Sequence, residues 1–166
     1  MRTGKLAEFT SDILSGIVRV AVLPLVIGGA LAPYAFFSIV FGEGWERTGE
    51  IVVYMVPWIV MQILVSPISM VLHTTNNQPT ALALQLFGLV LRVGVVSAVA
   101  ATAPGYLTEV YSFTGFVFYF VYLLVVLKVA GISLLEVFRR NPYVLLIAVV
   151  VYLAQYIVKA NHWFAW

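Results

Sequence analysis

The chain contains no cysteine, only two histidines and few charged residues. The absence of cysteine excludes disulfides, thiolate metal ligands and thiol nucleophiles. His73 and His162 lie too far apart in the sequence to form a metal-binding motif. Charged residues make up 10% of the chain, whereas a soluble domain usually carries about 25%. The net charge of +2 and the lack of basic runs argue against nucleic-acid binding.

Long apolar runs dominate what the sequence does contain. The chain is 63% hydrophobic, and its mean hydropathy is +1.04. A run of about 18 or more apolar residues can cross the hydrocarbon core of a bilayer as a helix. The sequence therefore predicts an all-α, polytopic transmembrane helix bundle that forms a single membrane domain over residues 1–166. The five predicted spans are 13–41, 50–73, 79–101, 111–130 and 143–160.

Lys and Arg are unevenly distributed among the predicted loops, and this asymmetry sets the orientation. The N-terminal segment and the segment 128–142 carry the excess of basic residues, whereas the loops 42–50 and 102–110 carry more Glu than Lys and Arg. Cytoplasmic loops are enriched in Lys and Arg, so we expect the N-terminus and the segment 128–142 in the cytoplasm. The amphipathic segment 131–142 is either an interfacial helix on an anionic leaflet or a basic loop that fixes the topology.

Arg92 is the most informative polar residue because it lies deep in the third predicted span. It is about thirteen residues, or roughly 20 Å, from the cytoplasmic start of that helix. Arginine at a helix centre costs about 2.5–3.5 kcal/mol, so we expect Arg92 to contact an anionic ligand, above all a phosphate. Gln85 and Gly88 lie on the same face of the helix. The alternatives are hydrogen bonds to carbonyls of a broken helix or a pair with another subunit.

Arg19 and a polar stripe on the second span are the other candidate site residues. Arg19 lies about one and a half turns inside the first span, where it either snorkels to the interface or stands at the mouth of a cavity that holds Arg92 at greater depth. The stripe either lines that cavity or joins helices, and it consists of Gln62, Ser66, Ser69 and His73. The candidate substrate-binding residues are Arg92, Arg19, Gln85, Gln62, Ser66 and Ser69. We expect neither a metal site nor a cofactor.

A series of short motifs runs in a fixed order from Pro24 to Arg92. The motifs are Phe41-Gly42-Glu43-Gly44-Trp45, the amphipathic helix entry 46–50, Pro57-Trp58, Ser66-Pro67-Ile68-Ser69 and Asn76-Asn77-Gln78-Pro79. In their order and spacing they resemble the multidrug/oligosaccharidyl-lipid/polysaccharide exporter superfamily. More narrowly, the chain resembles the bacterial flippases of O-antigen and exopolysaccharide biosynthesis.

The resemblance implies a fold, a substrate and a location. It places the chain in the second lobe of a two-lobed, multi-pass exporter of the bacterial inner membrane. It implies that Arg92, with Arg19, holds the pyrophosphate of an undecaprenyl-linked oligosaccharide, which alternating access carries across the bilayer for surface polysaccharide and lipopolysaccharide biosynthesis. Because the family has two lobes, we expect a missing N-terminal lobe or a partner chain.

Other functions remain open on the sequence. A cation-coupled drug exporter of the same superfamily would use an intramembrane Asp or Glu, which the predicted spans lack at depth. A non-transporting scaffold or assembly subunit would pair Arg92 with a partner helix, and an inactive truncated remnant would do neither. We do not expect an enzyme, because the sequence shows no P-loop, no dinucleotide fingerprint and no carboxylate pair placed for acid–base chemistry.

Overall fold

The computed structural model of the chain describes residues 2–23, 25–26, 37, 39–42 and 44–142. These described residues form helices and connecting turns, with no strand among them. The predicted fifth span, 143–160, and much of the second half of the first span, 13–41, lie outside the described residues.

Six α-helices build most of the described structure. They are α1 (Arg2–Ile17), α2 (Glu46–Ile68), α3 (Met70–Thr74), α4 (Gln78–Thr102), α5 (Leu107–Ala130) and α6 (Leu134–Arg140). A π-helical turn, Val18–Val22, continues α1, and a 3-10 turn, Pro104–Tyr106, leads into α5. Proline lies in the first turn of α4, where its missing N–H has no intrahelical partner to lose. Gly131 ends α5 in the left-handed conformation with φ of 74°.

Among the described residues, three helical segments are long and apolar enough to cross a membrane. They are Arg47–Thr74 with 28 residues, Gln78–Thr102 with 25 and Pro104–Ala130 with 27. The first combines α2 and α3, which only Ser69 separates. These segments overlap the second, third and fourth predicted spans, so the prediction of an all-helical fold with membrane-length apolar helices is confirmed for the described part of the chain. The number of spans and their orientation stay predictions.

Helix α5 organises the bundle, because it packs against α2 along one side and against α4 along another. Helix α1 packs on α2 and α5. The buried apolar core lies around the second half of α5, where Val126 and Leu127 contact residues such as Leu14, Val65 and Leu72. In lipid, helices gain little from excluding water, so they associate through close packing and polar contacts.

An ion pair ties the starts of α2 and α5 together. The guanidinium of Arg47 donates to Glu50 at 2.6 Å within α2 and to Glu109 of α5 at 3.0 Å. It therefore holds together the two helix ends that the charge distribution predicts on the outer side.

Polar contacts near the other end of α5 fix α6 against α1. Arg140 Nη1 lies 3.1 Å from a carboxylate oxygen of Asp12, and Asn141 Nδ2 donates to Ser15 Oγ at 3.2 Å. The Ser133 hydroxyl accepts the Glu136 N–H at 3.1 Å and so caps α6. The amphipathic segment 131–142 therefore contains a short capped helix, whereas its location at a membrane interface stays a prediction.

Candidate functional site

Three aromatic rings surround the guanidinium of Arg92. Its Cζ lies 5.1 Å from the ring centroid of Trp58, 5.7 Å from that of Tyr111 and 5.7 Å from that of Phe118. Trp58 comes from α2, whereas Tyr111 and Phe118 come from α5. We call these three rings the aromatic enclosure. Each ring lies within the roughly 6 Å at which a cation is attracted to an aromatic face.

Two glycines make room for the walls of this enclosure. A Cβ added at Gly115 would lie 2.7 Å from Cγ of Trp58, and a Cβ at Gly88 would overlap the ring of Phe118. The small side of Gly88 leaves room for a guanidinium, a water or a neighbouring helix, and in the structure an aromatic side chain of α5 takes that room. Helix α5 therefore approaches α2 and α4 at two small residues on either side of Arg92.

One edge of the Arg92 guanidinium makes no hydrogen bond to the described residues. Its Nε and Nη2 atoms are buried and have no hydrogen-bond partner among the described residues. No carboxylate of the described residues lies within ion-pair distance of Arg92. The Nε and Nη2 protons lie in the guanidinium plane, and together they form a fork that fits two oxygens of one carboxylate or phosphate.

Further polar atoms of α2 and α5 also lack partners in the described part of the chain. They are Nε1 of Trp58, Oγ of Ser112 and Oε2 of Glu109. An unpaired buried donor or acceptor typically costs about 1–3 kcal/mol, and native proteins keep few of them. Helices α2, α4 and α5 therefore carry unsatisfied donors, among them those of Arg92 and Trp58, together with one unsatisfied acceptor, Oε2 of Glu109.

The other glutamine and serine candidates do not join Arg92. The Gln85 side chain is exposed on α4, and Gln62 is partly buried on α2. Neither glutamine hydrogen-bonds to Arg92 within the described structure. The Ser69 hydroxyl donates to the Ser66 carbonyl at 2.7 Å, so this part of the polar stripe serves the junction between α2 and α3.

Arg19 belongs to a different feature, a groove between α1 and α6. The groove has a volume of about 460 Å³ and is lined by Asp12, Ser15, Gly16, Arg19 and Arg140. We call it the α1/α6 groove. Arg92 is not among its lining residues. The sequence allows Arg19 at the mouth of a cavity that holds Arg92 at greater depth, but in the structure the two arginines occupy separate sites. Instead, Arg140 lines the groove together with Arg19. Nothing in the sequence indicated Arg140 as a site residue.

The aromatic enclosure is the part of the site that sequence reasoning missed. Tyr111 is the first residue of the fourth predicted span, 111–130, and this position gives no indication of a contact with another helix. In the structure its ring contacts Trp58 edge-on, with 5.1 Å between the ring centroids. The position of Trp58 in the sequence could have indicated the enclosure. Tryptophan prefers membrane interfaces, so a tryptophan in the interior of a predicted span suggests a specific contact such as a buried cation.

The chain matches no protein-family model, no curated protein and no solved structure. A functional argument therefore depends on the geometry of Arg92 and of the α1/α6 groove.

Proposed function

We propose that this chain acts in membrane transport, as part of a flippase that moves an undecaprenyl-pyrophosphate-linked oligosaccharide across a bacterial inner membrane. The observation that carries the proposal is the unpartnered Nε and Nη2 edge of Arg92 inside the helix bundle. A second lobe or a partner chain would complete the transport pathway.

The aromatic enclosure suits Arg92 to anion binding. Aromatic rings attract a guanidinium at its faces, whereas hydrogen bonds form in its plane. The rings of Trp58, Tyr111 and Phe118 lie within cation–π distance of Arg92, and its Nε and Nη2 donors have no acceptor among the described residues. A pyrophosphate offers the paired oxygens that this fork accepts, and in lipid the resulting charge-assisted hydrogen bonds are poorly screened.

Access to Arg92 requires a helix movement. Its Nε and Nη2 atoms are buried, and the Phe118 ring lies against Gly88 of the same helix as Arg92. A shift of α4 away from α5 would separate Phe118 from Gly88 and expose the fork. Alternating access needs such a movement, because it opens a central binding site to one side at a time.

The test measures binding of farnesyl pyrophosphate, a short pyrophosphate lipid, to the full chain in neutral detergent. Loss of a bidentate, charge-assisted contact should weaken binding by roughly tenfold or more. We expect this loss for Arg92→Gln and a partial loss for Arg92→Lys, which keeps the charge but not the fork. Arg139→Gln is the matched control, since it removes the same charge from an exposed position on α6. Unchanged binding by Arg92→Gln would refute the proposal.

A non-transporting assembly subunit is the second candidate function. In this case the unpartnered Nε and Nη2 atoms of Arg92 would donate to a carboxylate of a partner helix. In that case the full chain would not bind farnesyl pyrophosphate. Arg92→Gln would instead abolish co-purification of one acidic membrane partner from the native membrane.

A further inference from the structure

The α1/α6 groove combines two cations with a hydroxyl donor. Arg19 and Arg140 come from different elements and line it together with Ser15. Ser15 Oγ accepts a hydrogen bond from Asn141, which leaves its own O–H proton able to donate. Gly16 lines the groove as well, and a Cβ there would meet no atom within 4 Å. The groove is therefore open, and its lining combines the cations Arg19 and Arg140 with the Asp12 carboxylate.

Arg140 pairs with two carboxylates, with Glu136 of its own helix at 3.8 Å and more closely with Asp12 of α1. The pair is 3.1 Å long, but the side chains are 67% exposed for Asp12 and 42% exposed for Arg140. Exposed ion pairs of this kind contribute little, because water screens them and both side chains lose freedom. A phosphate with a full negative charge and several acceptor oxygens can take the place of the carboxylate at Arg140.

The two helices that form the groove carry exposed apolar and basic side chains. Phe9 on α1 is 64% exposed and Leu135 on α6 is 76% exposed. Arg139 is exposed next to Arg140, on a helix that follows the membrane-length segment ending at Ala130. A short helix with exposed apolar and basic side chains, placed directly after such a segment, is typical of the headgroup region of an anionic leaflet.

We propose that the α1/α6 groove binds the phosphate of an anionic phospholipid headgroup, with Arg140 and Ser15 as donors and Arg19 as a second cation in the lining. The bound headgroup would replace Asp12 at Arg140 and would anchor α1 and α6 to the leaflet. This site does not depend on the proposed transport function, since a transporter and a scaffold would use it equally.

The experiment titrates the full chain in neutral detergent with short-chain phosphatidylglycerol, and in parallel with short-chain phosphatidylcholine and with inorganic phosphate. We expect phosphatidylglycerol to bind roughly tenfold more tightly than either comparison probe, because only it joins a net negative phosphate to an apolar tail. Arg140→Gln should weaken that binding by roughly tenfold. Arg139→Gln should leave it unchanged, because Arg139 is the neighbouring cation but does not line the groove.

The Asp12→Asn variant distinguishes a role of Arg140 in headgroup binding from a purely structural role of its ion pair with Asp12. Both Asp12→Asn and Arg140→Gln break the ion pair between α1 and α6, so a purely structural pair would make both variants bind less tightly. The proposed site predicts opposite signs: Asp12→Asn should tighten phosphatidylglycerol binding, because it removes the competing carboxylate.

Three results would overturn the proposal. Equal losses of phosphatidylglycerol binding in Arg139→Gln and Arg140→Gln would indicate that binding depends on diffuse surface charge and not on the groove. Weaker binding by Asp12→Asn would indicate a structural contact. Inorganic phosphate binding as tightly as phosphatidylglycerol would indicate a site for free phosphate. Arg92→Gln should leave phosphatidylglycerol binding unchanged, so this test and the pyrophosphate-lipid test fail independently.

Discussion

The indole ring of Trp58 lies directly against Gly115, so closely that a Cβ on the glycine would be 2.7 Å from Cγ of the ring. This contact joins α2 to α5 and turns Trp58 toward Tyr111 and Arg92. Small residues at helix contacts allow close packing in lipid, and here the small residue also positions a wall of the aromatic enclosure.

Gly115→Ala should therefore destabilise the bundle. The added methyl group overlaps the indole, and overpacking of this kind typically costs about 1–3 kcal/mol. The measurement is the unfolding free energy of the full chain in detergent, followed by helical circular dichroism. Gly94→Ala is the matched control, because a Cβ there meets no atom within 4 Å, and alanine in a helix interior is favoured over glycine by roughly 0.5–1 kcal/mol. Equal effects of the two substitutions would contradict the close contact.

Arg92→Met should stabilise the folded chain while removing pyrophosphate-lipid binding. The substitution removes a cost of about 2.5–3.5 kcal/mol for a charge at a helix centre, and it forfeits cation–π attraction of about 2 kcal/mol. The expected gain is therefore about 1 kcal/mol in unfolding free energy, measured as for Gly115→Ala. A loss of stability would mean that the aromatic enclosure holds Arg92 chiefly as a structural cation.

Much of the helical architecture was predictable from hydropathy alone. Membrane-length helices need unbroken apolar runs, and the second, third and fourth predicted spans match helical segments with mean hydropathies of 2.0 to 2.1. Pro79 at the start of α4 and Gly131 after α5 follow from local backbone chemistry.

The surroundings of Arg92 were not predictable in the same way. One-dimensional spacing places Gln85 and Gly88 on its helix face, but it does not show which neighbouring helix supplies the contacts. The rings come from Trp58, more than thirty residues before Arg92, and from Tyr111 and Phe118 on the following helix. Such contacts depend on how helices pack, and hydropathy carries little information about that.

The ion pair of Arg47 with Glu109 should tie α2 to α5 in a salt-dependent way. Glu109→Gln removes the interhelical partner at 3.0 Å and should lower the thermal midpoint of the full chain at low ionic strength. Salt screens exposed charges, so the difference from the unmodified chain should shrink in high salt. Glu50→Gln is the control, because it removes only the pair within α2 and should have a smaller effect. A salt-independent loss would point to packing instead of charge.

Ser133 should control the order of α6 and, through it, the α1/α6 groove. Its hydroxyl accepts the Glu136 N–H, and replacing an N-cap serine by alanine typically costs about 1 kcal/mol. Because α6 has only seven residues, that loss is large relative to the stability of so short a helix.

Ser133→Ala should therefore speed hydrogen exchange of the backbone amides in 134–140, measured by mass spectrometry, and weaken phosphatidylglycerol binding by releasing Arg140. Ser133→Thr should preserve both properties, since threonine also caps helices. If exchange accelerated while phosphatidylglycerol binding stayed constant, Arg140 would not need α6 in order to hold the headgroup. Headgroup binding would then depend on the charge of Arg140 and not on the order of α6, and the capped helix would serve only the packing of Asn141 against Ser15.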